Sequence, residues 1–115
     1  MGDFIRFSFL GIVSLLLVSF SRAEAETVRI ATYNLDNYLV MDRYVGPRWR
    51  PAYPKPESEK LIVRRVISEV APDILILQEM GSVAFLEELR ADLGNEGHHY
   101  SYAIHMAGKD TDRHI

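Results

Sequence analysis

Three side chains carry oxygen donors at points where regular structure should end. Asn34 and Asp36 close the stretch Thr27-Val28-Arg29-Ile30-Ala31-Thr32-Tyr33, and Glu79 closes Pro72-Asp73-Ile74-Leu75-Ile76-Leu77-Gln78. One amide and two carboxylates, with no sulfur or imidazole in the set, suit a hard cation. Mg²⁺ is the natural choice, because one or two carboxylates hold it while water and substrate phosphate complete its shell; Mn²⁺ or Ca²⁺ would accept the same oxygens. The chemistry open to such a site is phosphate-ester hydrolysis. The ion polarises a phosphoryl oxygen and stabilises charge on the leaving group, while the Asn34 amide fixes a phosphate oxygen or the attacking water. Taken singly, these residues have plainer readings. Asn34-Leu35-Asp36-Asn37 is a turn sequence, because Asn and Asp bond nearby backbone groups, and Glu79 is the first solvated residue after an apolar run.

Chemistry therefore requires the fold to bring the two strand ends together. Residues 27–34 alternate, with Val28, Ile30 and Thr32 on one face and Arg29, Ala31 and Tyr33 on the other, which is a strand pattern. Ile74-Leu75-Ile76-Leu77 is an unbroken aliphatic run opened by Pro72-Asp73, as in a strand buried on both faces. Between them, Glu57 to Val70 reads as a helix, with Leu61 or Ile62, Val63, Val66, Ile67 and Val70 on one stripe. Strand, helix, strand is the order of a crossover joining parallel strands, which places Asn34 and Glu79 at the same edge of one sheet. In open α/β sheets, ligands bind outside that carboxyl edge.

The remaining segments read less regularly. Residues 39–56 hold Pro47, Pro51, Pro54 and Pro56 with Tyr44, Trp49 and Tyr53, so an irregular packed loop is expected. Four cations, Arg43, Arg48, Arg50 and Lys55, face a single anion, Asp42, in that loop. Arg48 and Arg50 are candidates to grip a phosphate backbone, with the aromatics stacking on bases; solvated arginines over a folded loop are the plainer alternative. After Glu79, Ser82 is placed to cap a second helix with Phe85, Leu86, Leu89 and Leu93 on its apolar face, ending near Gly94. Residues 100–106 read as a further strand. The polar tail 108–115 looks like a turn before another apolar segment, so an incomplete single domain is expected.

Arg6 followed by the apolar residues 7–20 and by Ala23-Glu24-Ala25 has the form of a secretory signal peptide, too short to span a bilayer comfortably. Cleavage after Ala25 gives a mature chain from Glu26, secreted or periplasmic, with a retained N-terminal anchor as the alternative. The net charge of the 115 residues is −3, and the charges of the signal cancel, so the mature chain is mildly acidic. Such a chain does not coat polyanions along its whole surface. No cysteine is present, so no disulfide supports a small core in an oxidising compartment.

Ile30-Ala31-Thr32-Tyr33-Asn34-Leu35-Asp36 and Pro72-Asp73-Ile74-Leu75-Ile76-Leu77-Gln78-Glu79 resemble the first two signature motifs of the endonuclease/exonuclease/phosphatase family. The resemblance implies an α/β fold, the N-terminal part of a four-layer sandwich with two central sheets flanked by helices. It implies Asn34 as an active-site residue, Glu79 as a ligand of the catalytic divalent metal, and Asp36 as a support of the metal site found in some members only. It implies a phosphoesterase, with nucleic acid as the expected substrate and lipid or inositol phosphate as the alternative within the class. The rival from another class is a non-catalytic binding protein on the same scaffold. A catalytic His, an Asp-x-Asn pair and a closing Asp-His pair belong to the family farther along and are not identifiable here. The 115 residues alone are therefore expected to be inactive. His98, His99, His105 and His114 take no family role, and Arg113 is a candidate phosphate contact beside its local partners Asp110 and Asp112. No protein partner is evident.

Overall fold

The computed structural model describes residues 24–110. The expected signal segment falls almost wholly outside the described residues, as do Arg113 and His114. Six elements follow in order: β1 (Ile30–Tyr38), β2 (Met41–Val45), β3 (Arg48–Tyr53), α1 (Glu57–Val70), β4 (Ile74–Met80) and α2 (Val83–Asn95). β1 and β4 pair in parallel, and β2 and β3 form an antiparallel hairpin. The class is α/β. Among the described residues, no helix is long and apolar enough to cross a membrane.

The parallel pair is set in register from Ile30 opposite Ile74 to Asn34 opposite Gln78. Its entrance is locked by Arg29, whose amide donates to Asp73 Oδ2 at 2.7 Å and whose guanidinium donates to Val70 O at 2.6 Å. α1 stops where Ala71 turns left-handed (φ 46°) and donates its N–H back to Ile67 O. The helix bounds match the sequence pattern.

Leu35, Tyr38, Val63, Ile67, Met80, Leu89 and Leu93 form the buried core, with Tyr33, Leu75 and Leu77 packed against it. Both helices thus cover the same face of the sheet. On the other face Ile74 and Ile76 remain 49% and 40% exposed, beside an exposed Ile30. Burial of β4 on both faces is therefore not found among the described residues.

Burial on α1 also differs from the expected stripe. Lys60, Val63, Arg64 and Ile67 are buried, while Leu61, Ile62, Val66 and Val70 stay exposed. The cause lies on α2 and its C-cap, where Glu88, Asp92 and the capping Glu96 repeat every four residues and form an acidic ladder along one side. Lys60 pairs with Glu88 and sits 5.3 Å from the centroid of the Tyr38 ring and 5.5 Å from that of Phe85. Arg64 donates to Glu57 at 2.8 Å, Glu96 at 2.7 Å and Asp92 at 3.4 Å. Burial lowers the Arg64 pKa, but its bonds to Glu57 and Glu96 outweigh that and leave it raised. Tyr38 donates its hydroxyl to Glu88 at 3.2 Å, and burial, then the Glu88 charge, push its pKa up.

α2 begins at Ser82, although the Ser82 side chain makes no capping bond. It ends past Gly94 in a Schellman arrangement: His98 N–H bonds Leu93 O at 2.8 Å and Gly97 N–H bonds Gly94 O at 3.1 Å, with Gly97 at φ 93°. The expected strand over 100–106 does not form a ladder. Arg90 takes the carbonyls of Tyr100 and Ser101, at 2.7 and 2.9 Å, that a ladder would use, and the Tyr100 hydroxyl is anchored on Pro72 O at 2.9 Å.

Two substitutions separate the buried charge from its partner. Glu88→Gln leaves Lys60 buried without a counter-ion and should cost about 1–3 kcal/mol, whereas Lys60→Met removes the charge itself and should cost less. Urea unfolding followed by circular dichroism reads the order. A larger loss in Lys60→Met would place the stabilisation in the lysine's ring contacts instead.

Candidate functional site

β1 does not end at Asn34. It continues to Tyr38 through an irregularity in the ladder, where the register jumps from Asn34 opposite Gln78 to Tyr38 opposite Met80. Leu35, Asp36 and Asn37 thereby stand against Glu79 alone. Three of these four residues have left-handed backbones: Asp36 at φ 49°, Asn37 at φ 59° and Glu79 at φ 59°. Asp and Asn tolerate that region better than other L-residues, and Glu does not share the advantage. The expected turn is thus present as a bulge inside a strand. Its cause is the same short-range bonding, since Asn34 Oδ1 accepts the Asp36 N–H at 2.9 Å.

Glu79 Oε2 accepts the Asn37 N–H at 3.0 Å, crossing from one strand end to the other. The parallel pairing does bring Asn34 and Glu79 to one edge. The Asp36 carboxylate is placed differently, since its described contact is Asn37 Nδ2 at 3.5 Å and not Glu79. Two cations from the next segment clamp the bulge. Arg43 donates to Asn37 O and Leu39 O at 3.1 and 2.7 Å, and to Tyr53 O at 3.1 Å. Lys55, buried, donates to Asp36 O at 2.9 Å and pairs with Glu59 at 3.0 Å.

Beyond Glu79 the chain passes close to β1. Gly81 donates its N–H to Tyr38 O at 2.9 Å, and a Cβ on Gly81 would lie 2.8 Å from Leu39 Cβ and 3.0 Å from the Phe85 ring. Only glycine fits there without displacement. His105, given no role in the sequence, holds the Gly81 carbonyl at 2.8 Å through Nε2.

The 39–56 segment is not irregular. It is the β2–β3 hairpin, and its prolines occupy the positions a hairpin allows. Gly46 at φ 59° followed by Pro47 supplies the two-residue turn; a proline in second place excludes type I′ and leaves type II′. Pro51 lies at the break in register beside Ala52, whose left-handed N–H donates to Asp42 Oδ1 at 2.8 Å. Arg48 and Arg50 are exposed on β3, and their side chains make no hydrogen bond or ion pair among the described residues. They are not part of the strand-end cluster. Sequence reasoning missed Arg43, Lys55 and the Asn37 amide; the excess of cations in 39–56 was the signal for the first two.

Among the described residues no three His, Cys, Asp or Glu side chains group to hold a metal. Mg²⁺ needs no such group, since one or two carboxylates suffice when water and substrate supply the rest. One oxygen of Glu79 is tied to Asn37 and the other is without a described partner, so the donor set fits. A cleft of about 610 Å³ lies elsewhere, along β4 between Leu89 and Leu93 of α2 and Tyr100 and Ile104, and includes none of Asn34, Asp36 and Glu79. Comparison of the chain with protein-family models, with curated proteins and with solved structures finds no match.

Arg43 is the testable clamp. Arg43→Met removes the guanidinium donor from three carbonyls, of which Asn37 O keeps the Leu39 N–H at 2.8 Å, and should lower the free energy of local opening by about 1–3 kcal/mol at the bulge and hairpin. Native-state hydrogen exchange reads this at the hairpin amides. Arg48→Met, which breaks no described bond, should leave exchange unchanged.

Proposed function

We propose that the chain carries the ion-holding edge of an exported, divalent-metal-dependent phosphoesterase of the endonuclease/exonuclease/phosphatase kind, acting on phosphodiester bonds of nucleic acid. Glu79 carries the reading. A non-glycine residue in the left-handed region costs about 1–3 kcal/mol and persists where its surroundings over-determine it, commonly at functional sites. Here the unusual residue is an acid at the carboxyl end of a parallel strand, held at φ 59° with its carboxylate bonded across to the neighbouring strand. The exposed sheet face of Ile30, Ile74 and Ile76 suits the inner surface of a sandwich, where a second sheet would cover it.

Each residue has a definable task. Glu79 holds its carboxylate at the edge, one oxygen fixed by the Asn37 amide and the other available to Mg²⁺. Asn34 has committed Oδ1 to the Asp36 amide, which leaves Nδ2 as a donor to a phosphate oxygen or to the attacking water. Asp36, exposed beside them, supplies negative charge to the same edge. Mg²⁺ bound there would supply polarisation of the phosphoryl oxygen and charge stabilisation at the leaving group.

Removing the charge at constant shape tests this. Glu79→Gln should weaken Mn²⁺ binding, read by electron paramagnetic resonance on this chain. In a chain that also carries the His and Asp motifs the resemblance implies, it should slow hydrolysis of DNA and of a simple phosphodiester on the order of 10²–10³-fold, partly restored by excess Mg²⁺. Asn34→Ala should lower turnover with no gain from added Mg²⁺. The thermal melt of Glu79→Gln, which keeps an acceptor for the Asn37 amide, should stay near that of the parent, while Asn34→Ala, which loses the bond to the Asp36 amide, should be destabilised by about 0.5–1.5 kcal/mol. Unchanged ion binding and hydrolysis in Glu79→Gln would overturn the assignment; turnover of lipid or inositol phosphates in place of DNA would move the substrate within the class.

A further inference from the structure

The β2–β3 hairpin is clamped at its base and uncommitted at its surface. Arg43 ties Tyr53 of β3 to Asn37 and Leu39 at the bulge, and Asp42 holds the Ala52 amide. The turn is fixed by Gly46-Pro47. An isolated two-stranded hairpin is at best marginal in water, so these bonds are what keep its geometry. On it, Tyr44 and Trp49 are 68% and 53% exposed, in edge-to-face contact with ring centroids 5.0 Å apart. Register sets Tyr44 opposite Trp49, and therefore on one face, while Arg43 opposes Arg50 and Val45 opposes Arg48 on the other. The ribbon has an aromatic face backed by a cationic one.

We propose that this hairpin is a docking ribbon for a single-stranded polynucleotide, with bases stacking on Trp49 and Tyr44 on one face and the backbone running along the edge of β3, where the long side chains of Arg48 and Arg50 reach its phosphates from the other face. The ligand class rests on the phosphodiesterase reading above. Charge complementarity is local: Arg48 and Arg50 are without described partners, whereas Arg43 and Lys55 are committed to carbonyls and the chain as a whole is acidic at −3. A single strand is favoured over a duplex because ring faces on a ribbon reach bases only when those bases are free of their own stack. Arg43 links the ribbon directly to the bulge that carries Asn37.

Binding is read on the full chain in EDTA, so that hydrolysis does not enter, by fluorescence anisotropy of a short labelled oligo(dT) and by quenching of Trp49, the single tryptophan. Trp49→Ala should weaken binding roughly 5- to 100-fold, and Trp49→Phe should retain most of it. With two phosphate contacts the slope of log affinity against log salt should be about −1.4, falling towards zero in the Arg48→Gln, Arg50→Gln double variant. Glu79→Gln should bind the oligonucleotide like the parent, so a failure of hydrolysis with binding intact counts against the phosphoesterase reading alone. No binding by the parent chain, no effect of Trp49→Ala, or an equal Trp49-dependent affinity for duplex DNA or a neutral oligosaccharide would each overturn the proposal.

Discussion

The bond from the Asn37 amide to the Glu79 carboxylate, 3.0 Å long, joins two parallel strands at the one place where their register breaks. Leu35, Asp36 and Asn37 face Glu79 alone, and the surplus is absorbed by left-handed backbones on both sides of the ladder. Each such residue costs about 1–3 kcal/mol, a large share of the roughly 5–15 kcal/mol by which a domain is stable. The surroundings offset that cost from several directions. Asn34 holds the Asp36 amide, Lys55 and Arg43 hold the carbonyls of Asp36 and Asn37, and Gly81 lets the chain leave β4 close against Leu39. The hairpin is fixed by the same Arg43, so the strand-end edge and the projecting ribbon share one set of bonds.

Behind this edge the sheet rests on a core that is apolar near the strands and ionic between the helices. Lys60 and Arg64, four residues apart on α1, meet Glu88, Asp92 and Glu96, four apart on α2 and its C-cap. Such a ladder fixes the register of the two helices, because a shift by one residue would strand buried charges without partners. Tyr38 joins the layers, its ring in the core and its hydroxyl on Glu88. The strand that carries the bulge is thus also tied to the ion ladder.

Much of this was legible in the sequence, for identifiable reasons. α1 declared its ends because Pro56 precedes it and its apolar period stops before Pro72, and the Pro72-Asp73 breaker marked the entry of β4. The meeting of Asn34 and Glu79 followed from the strand-helix-strand order. The bulge did not, because Asn34-Leu35-Asp36-Asn37 has the composition of a turn and only the partner strand shows that pairing resumes at Tyr38. The hairpin was hidden by its prolines, each of which sits at a turn, a register break or outside the strands. The buried Lys60 and Arg64 were hidden because a helix pattern read alone assigns charge to solvent; apart from Glu57 on the same helix, their acidic partners lie some 28 to 32 residues away. The strand expected at 100–106 fails because Arg90 occupies its first carbonyls.

We place the divalent-ion site, as a proposal, at the Glu79 edge and not at the more acidic helix ladder. Paramagnetic broadening of amide resonances by substoichiometric Mn²⁺ tests it residue by residue. Broadening centred on Asn34, Asn37 and Glu79, and relieved by excess Mg²⁺, is the predicted result. Broadening centred on Glu57, Asp92 and Glu96, with the Asn37 amide untouched, would contradict it.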